Sequence, residues 1–186
     1  MIMTSAAAID NGFRVIVVLT SDITDLVDQT VDRFRVVSGP LRYSSASRGE
    51  WRTEQRNMRA HIATHGLIFI CAKNGRHLSV LIDTLIAINA ADFPALLIDD
   101  EADQATPDTT TAARALRRAS APTRSSTVNR RVAHNNDPLE LGRSLRQNLR
   151  HNVLLQVTAT PNALFLQNAD SPLRPGFTRL LTPGAG

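Results

Sequence analysis

Four carboxylates stand within five positions at Asp99, Asp100, Glu101 and Asp103, directly after the apolar run Ala95-Leu96-Leu97-Ile98. Carboxylates this close repel one another, so the cluster persists only with a cation or a set of hydrogen-bond donors to hold it. Its chemistry is that of hard oxygen ligands: one acid binds a divalent metal ion, and a neighbour orients or deprotonates a water molecule. A solvated acidic turn is the plainer reading of the same residues. A second polar group, Thr158-Ala159-Thr160-Pro161, follows another apolar run, Val153 to Val157. A third is Lys73, the only lysine among 21 basic residues, placed directly after Leu67-Ile68-Phe69-Ile70-Cys71-Ala72. It is a candidate phosphate contact, set against an ordinary surface lysine.

The elements that must position these groups follow from the apolar runs. Short apolar runs bounded by polar residues read as strands of a parallel sheet buried on both faces. Arg14–Thr20, Leu67–Ala72, Ala95–Asp99 and Val153–Val157 are such runs. Helical patterns lie between them. Asp22 is a candidate cap for a helix with Ile23, Leu26, Val27, Val31 and Phe34 on one face. Glu50 to His65 is a second helix, with Trp51, Gln55, Met58, Ile62 and His65 on one side. A third, from about Leu78 to Asn89, turns Leu78, Leu81, Ile82, Leu85 and Ile86 inward. Ser38 to Gly49 reads as a loop from its Gly, Pro and Ser content. Asp137-Pro138-Leu139-Glu140 has the N-cap, N1 and N3 residues of a helix start, and Leu141, Leu145 and Leu149 line the helix that follows. Alternating strands and helices predict a three-layer α/β/α domain with helices on both faces. In a parallel sheet Thr20, Lys73, Asp100 and Thr158 reach the same C-terminal edge, where open α/β sheets bind ligands.

A hydrophobic strand ending in Asp-Glu is the Walker B pattern, and Asp100-Glu101-Ala102-Asp103 followed by Thr158-Ala159-Thr160 resembles motifs II and III of superfamily 2 (DEAD-box-like) helicases. The longer forms Ile98–Gln104 and Thr158–Ala163 are similar to the Z-one domain family, whose members are described as helicase- or endonuclease-like and often stand beside Hsp90-type ATPase modules. Lys73-Asn74 at a strand end, before a helix, also matches that family. The strand–turn–helix after Arg14, with Leu26 and Gln29, resembles motif Ia; an ordinary βα unit has the same pattern. The resemblance covers about residues 14 to 184. It implies an incomplete RecA-like (P-loop NTPase-like) fold, Mg2+ and ATP as cofactors, and DNA (or RNA) as the partner of the full protein. It implies that Asp100 and Glu101 serve the metal and the hydrolytic water, and that Asp103 and Lys73 face the nucleotide. Thr158, Thr160 and Thr20 would couple the nucleotide site to nucleic acid.

The chain has 186 residues, 42% of them hydrophobic, enough for one domain with a core. Twenty arginines against one lysine reflect a coding bias, that of a GC-rich bacterial genome, more than chemistry. A net charge of +4 permits contact with nucleic acid without requiring it. The charge is unevenly spread. From Ala112 to His151 nine arginines stand against Asp137 and Glu140, so this stretch is more basic than the whole chain. Residues 105–137 read as a polar Arg-rich insertion, either a phosphate contact or a solvated segment. Residues 168–186 read as an irregular tail with one short strand near Phe177 to Leu181. One cysteine, Cys71, excludes an intramolecular disulfide and reads as a core residue. His61 and His65 are four apart but lack an intervening Glu and a third ligand, so they do not predict a metal site. No signal peptide or membrane span is legible, which predicts a cytoplasmic protein.

The resemblance also implies parts that the sequence does not contain. There is no Gly-x-x-x-x-Gly-Lys-Ser/Thr phosphate loop, and no second RecA-like domain with its arginine finger. The chain is therefore expected to be a piece of a longer protein or a truncated product, and inactive alone. Two functions remain open: part of a helicase-like NTPase, or a non-catalytic interaction module that keeps the fold. A nuclease built on Asp99, Asp100, Glu101 and Asp103 is weaker, because the Glu-x-Lys of common nuclease cores is absent.

Overall fold

The computed structural model describes residues 1–47, 49–102, 144–160, 174–179 and 181. Five strands form one sheet: β1 (Val15–Thr20), β2 (Leu41–Ser44), β3 (Leu67–Ala72), β4 (Ala95–Asp100) and β5 (Asn152–Val157). Their order is β2-β3-β1-β4-β5, and every pairing is parallel. β1, β3 and β4 occupy the centre, and their apolar residues are buried on both faces. That explains why they read as unbroken hydrophobic runs rather than alternating ones.

Strand side chains alternate between the two faces. Val15, Val17, Leu67, Phe69, Cys71, Ala95 and Leu97 enter one core, and Ile16, Val18, Ile68, Ile70, Leu96 and Ile98 enter the other. The first core is covered by α3 (Trp51–Ile62) and α4 (Gly75–Ala87), together with Leu145 and Leu149. The second is covered by α2 (Thr24–Phe34) through Val27 and Phe34, with Ile2, Ala8 and Ile9 of α1 (Ile2–Asp10) packed at its margin. The result is the expected three-layer α/β/α domain of RecA-like type, with a parallel sheet covered on both faces. No helix among the described residues is long and apolar enough to cross a membrane.

Several local expectations change. Ser38 to Gly49 is not wholly a loop, because Leu41–Ser44 adds to the sheet edge in register with Leu67–Ile70. Asp22 does not cap α2. The helix begins after Ile23, which is exposed, and Thr30 takes the buried position, donating its hydroxyl to the Leu26 carbonyl at 2.8 Å. Along α4 Thr84 rather than Ile86 is buried, and its hydroxyl donates to the Val80 carbonyl. Between α3 and β3 the chain turns at Gly66, whose φ is +78°; a Cβ there would lie 3.1 Å from the Arg14 carbonyl oxygen. Phe177 and Leu181 are exposed and neither lies in a strand, against the expected strand near the tail. The Arg-rich stretch 105–137, the helix start at Asp137, Leu141 and the rest of the tail lie outside the described residues.

The β2 edge is fastened by aromatic rings. Tyr43 stacks on Phe69 at 5.6 Å, Phe69 meets Trp51 edge-on at 5.6 Å, and the Trp51 indole donates to the Ser44 carbonyl at 3.1 Å. Burial, with the Glu54 carboxylate as a lesser cause, pushes the Tyr43 phenol up from 10.0 to about 12. The fold therefore favours the neutral phenol. That contribution is whole below pH 10 and is lost as pH rises toward 12. Tyr43 is the only tyrosine, so tyrosinate absorbance reports it alone. The native protein should titrate near pH 12, and the urea-unfolded chain near 10.

Candidate functional site

The acidic cluster begins inside the sheet. Asp99 continues the face of Ala95 and Leu97, lies in register with Leu19, and is only 2% exposed. A carboxylate so placed is strongly unfavourable unless it is paired. Lys73 is its partner, with Nζ 3.1 Å from Asp99 Oδ1. The lysine belongs to the chain just after β3, which is separated from β4 by β1, so its side chain spans the end of the central strand. Its backbone N–H donates to the Thr20 carbonyl at 2.9 Å, which extends the β3–β1 ladder one step. Lys73 is itself 7% exposed.

Two further acceptors complete the ammonium. Nζ donates to the Asp100 carbonyl at 2.6 Å and to the Glu101 carbonyl at 2.8 Å. An ammonium has three donors, and all three are engaged within the protein. A phosphate reaching Lys73 would have to displace one of them. Glu101 has φ +54°, a left-handed conformation uncommon for a residue with a side chain. Asp100 and Glu101 are half-buried at the sheet edge, so their carboxylates differ in setting from that of Asp99.

The register brings the other candidates to the same edge. Thr20 ends β1 and is buried. Asp100 lies opposite Val157, so Glu101 and Thr158 leave neighbouring strands side by side, strands spaced about 5 Å apart in any sheet. The Thr158 hydroxyl accepts from the Thr160 backbone N–H at 2.9 Å, and the two hydroxyls lie 3.4 Å apart. Each threonine thus helps shape its own turn. Asp103, Gln104 and Pro161 lie outside the described residues.

Fit to a metal ion can be judged from the donors. Among the described residues no group of three or more His, Cys, Asp or Glu could hold a metal ion. With Asp99 bound to Lys73, the carboxylates left at this turn among the described residues are Asp100 and Glu101. That set fits Mg2+, which keeps several waters and is held by one or two carboxylates together with substrate phosphates. It does not fit a closed protein cage. His61 and His65 have ring centroids 5.7 Å apart, and their Nδ1 atoms bond Asn57 and Thr64 within α3 and the turn after it. Cys71 is fully buried, as expected of a core residue.

Sequence reasoning missed the partnership of Lys73 with Asp99. The available signal was one lysine in a chain of arginines, placed at a strand end, and an acid at the inward-facing parity of β4. It also missed a trio beside the site. Asn74 caps α4 by accepting from the His77 backbone N–H at 2.9 Å, while its amide donates to Asp22 and meets His77 Nδ1. No protein-family model matches the chain, and no curated protein matches it.

Removing one partner of a buried pair strands the other's charge. Lys73→Met is therefore expected to destabilise the protein by about 3–5 kcal/mol, read by urea unfolding at Trp51, the only tryptophan. A loss within about 0.5 kcal/mol, the range of ordinary surface changes, would mean that the pair does not form in solution.

Proposed function

We propose that this chain is part of a superfamily 2 helicase-like NTPase of the Z-one type, acting in nucleic-acid processing. The observation that carries the reading is the β4–β5 register. Asp100 opposite Val157 makes Asp100-Glu101 and Thr158-Ala-Thr160 neighbours at the C-terminal edge of a parallel sheet. A hydrophobic strand ending in two acids supplies the residues that hold Mg2+ and orient water in nucleotide hydrolysis, and the neighbouring strand ending in hydroxyls matches the order of the two helicase motifs that the sequence resembles. In this reading Asp100 would hold the cation and Glu101 would orient the hydrolytic water. Thr158 and Thr160 carry the state of that turn to the nucleic-acid surface, and Thr20 borders the same surface. Asp100 and Glu101 would hold a bound Mg2+, which would supply positive charge to offset that of phosphates. Asp103, by resemblance, belongs to the same turn. DNA or RNA is the polymer, and hydrolysis in this reading needs a phosphate loop, a motif that the sequence does not contain.

A second reading has its own support. The sequence contains no phosphate-loop motif, and its single lysine is committed to one carboxylate and two carbonyls. A fold that retains the edge but not the cradle suits a non-catalytic interaction module.

The two readings separate on metal binding. Mn2+ added to the chain should broaden the amide resonances of Asp100, Glu101 and Thr158 together, and Asp100→Asn should abolish the effect. The interaction module alone would show no such localised broadening. ATP hydrolysis by the isolated chain should not exceed background. Phosphate release that disappears in Glu101→Gln would overturn that expectation and require a cradle of another kind.

A further inference from the structure

The Lys73 ammonium touches one carboxylate oxygen and two consecutive backbone carbonyls, those of Asp100 and Glu101. Consecutive carbonyls point in opposite directions along an extended strand, so two that face one point mark the end of the extended conformation, and here Glu101 leaves it at φ +54°. A peptide unit is planar and trans, so its N–H points opposite to its carbonyl. The N–H groups of Glu101 and Ala102 therefore face away from Lys73. The lysine thus bears on the backbone that presents both acids, although it touches neither of their carboxylates in these contacts.

We propose that Lys73 is a positioning residue for the Asp100–Glu101 turn: it holds Glu101 in its left-handed conformation and sets the two edge carboxylates for a divalent cation. The cation half of this rests on the reading of Asp100 and Glu101 given above; the backbone half does not. The same contacts divide the acids by task. Asp99 balances the lysine inside the fold, and Asp100 and Glu101 remain for the edge.

The side-chain type is specific. An ammonium directs three donors tetrahedrally from a single atom, whereas a guanidinium spreads five in a plane. Three acceptors converging within 2.6–3.1 Å of one nitrogen suit the first geometry. A chain with 20 arginines uses its one lysine here.

The test uses the full chain in three forms: wild type, Lys73→Arg, and the double variant Lys73→Met with Asp99→Asn. The double variant leaves the net charge unchanged and strands no buried ion. Three readouts are taken: the backbone carbon and amide shifts of Glu101, the Mn2+ affinity, and the thermal midpoint followed at Trp51. In the folded double variant Glu101 should lose its left-handed shifts. Mn2+ should bind at least about tenfold more weakly, the usual effect of losing a group that orients metal ligands. Lys73→Arg should fail to restore either. A lysine that acted only as a charge would give a different pattern. Loss of its repulsion alone would tighten cation binding, and the charge-neutral double variant would bind as wild type does.

Unchanged Glu101 shifts in the double variant overturn the proposal, and so does full rescue by Lys73→Arg. Shifts that change while the wild type binds no Mn2+ uphold the backbone role and overturn the cation reading alone. If neither variant folds, lysine-specific isotope labelling of the wild type decides. It yields a single side-chain signal, because Lys73 is the only lysine. A slowly exchanging ammonium resonance with hydrogen-bond couplings to the carbonyl carbons of Asp100 and Glu101 is expected, and a freely exchanging one overturns the proposal.

Discussion

All five strands run in one direction, and this constraint governs where the polar chemistry can gather. A parallel neighbour cannot be reached by a tight hairpin, so each strand is followed by a crossover that returns the chain to the same starting end. In this protein the crossovers after β1 and β3 are helical, and they bury Val27, Phe34, Leu78, Leu81 and Leu85 against the sheet. Every strand therefore finishes on one side. The end of β1 gives Thr20, the residue after β3 gives Lys73, β4 gives Asp99 and Asp100, and the residue after β5 gives Thr158. These residues are far apart in sequence and meet because the five described strands all pair in parallel.

The same constraint explains why a charged pair is buried. Position 99 has the parity of Ala95 and Leu97, so its side chain must point into the core above α3 and α4. An apolar residue there would pack at lower cost, since buried ion pairs seldom outperform hydrophobic replacements. What the pair supplies beyond packing is direction. It draws a cation over the end of β1 to a place where backbone carbonyls also converge.

The sheet was legible in the sequence where burial is two-sided. Val15–Thr20, Leu67–Ala72 and Ala95–Asp100 are unmistakable because no face of them meets water. Leu41–Ser44 was not legible, since Leu-Arg-Tyr-Ser after Gly-Pro has little strand character, and it is ordered by pairing with Leu67–Ile70 far along the chain. α1 was missed for a different reason. Its Ala-rich residues suit a helix, yet no side chain caps it, and its place depends on the core beneath β1 and β4. The site was legible in its acids and threonines, whose types announce chemistry. The partner of Lys73 was hidden because the two residues lie on strands that are not neighbours. Only the strand order shows that a lysine after β3 can reach across β1.

That strand order bears on how the protein is made. β1 lies between β3 and β4, so a strand made before both of its partners lies at the middle of the five described strands. Val-Ile-Val-Val-Leu-Thr has every side chain buried in the native state. Its first partner begins at Leu67 and its second at Ala95. Until both emerge, a growing chain carries a bare β-forming segment with two open flanks, the kind of segment most prone to self-association. Non-local parallel pairing is also slow to close. The centre of the sheet, which is the most protected part of the folded molecule, is thus its most vulnerable part during synthesis.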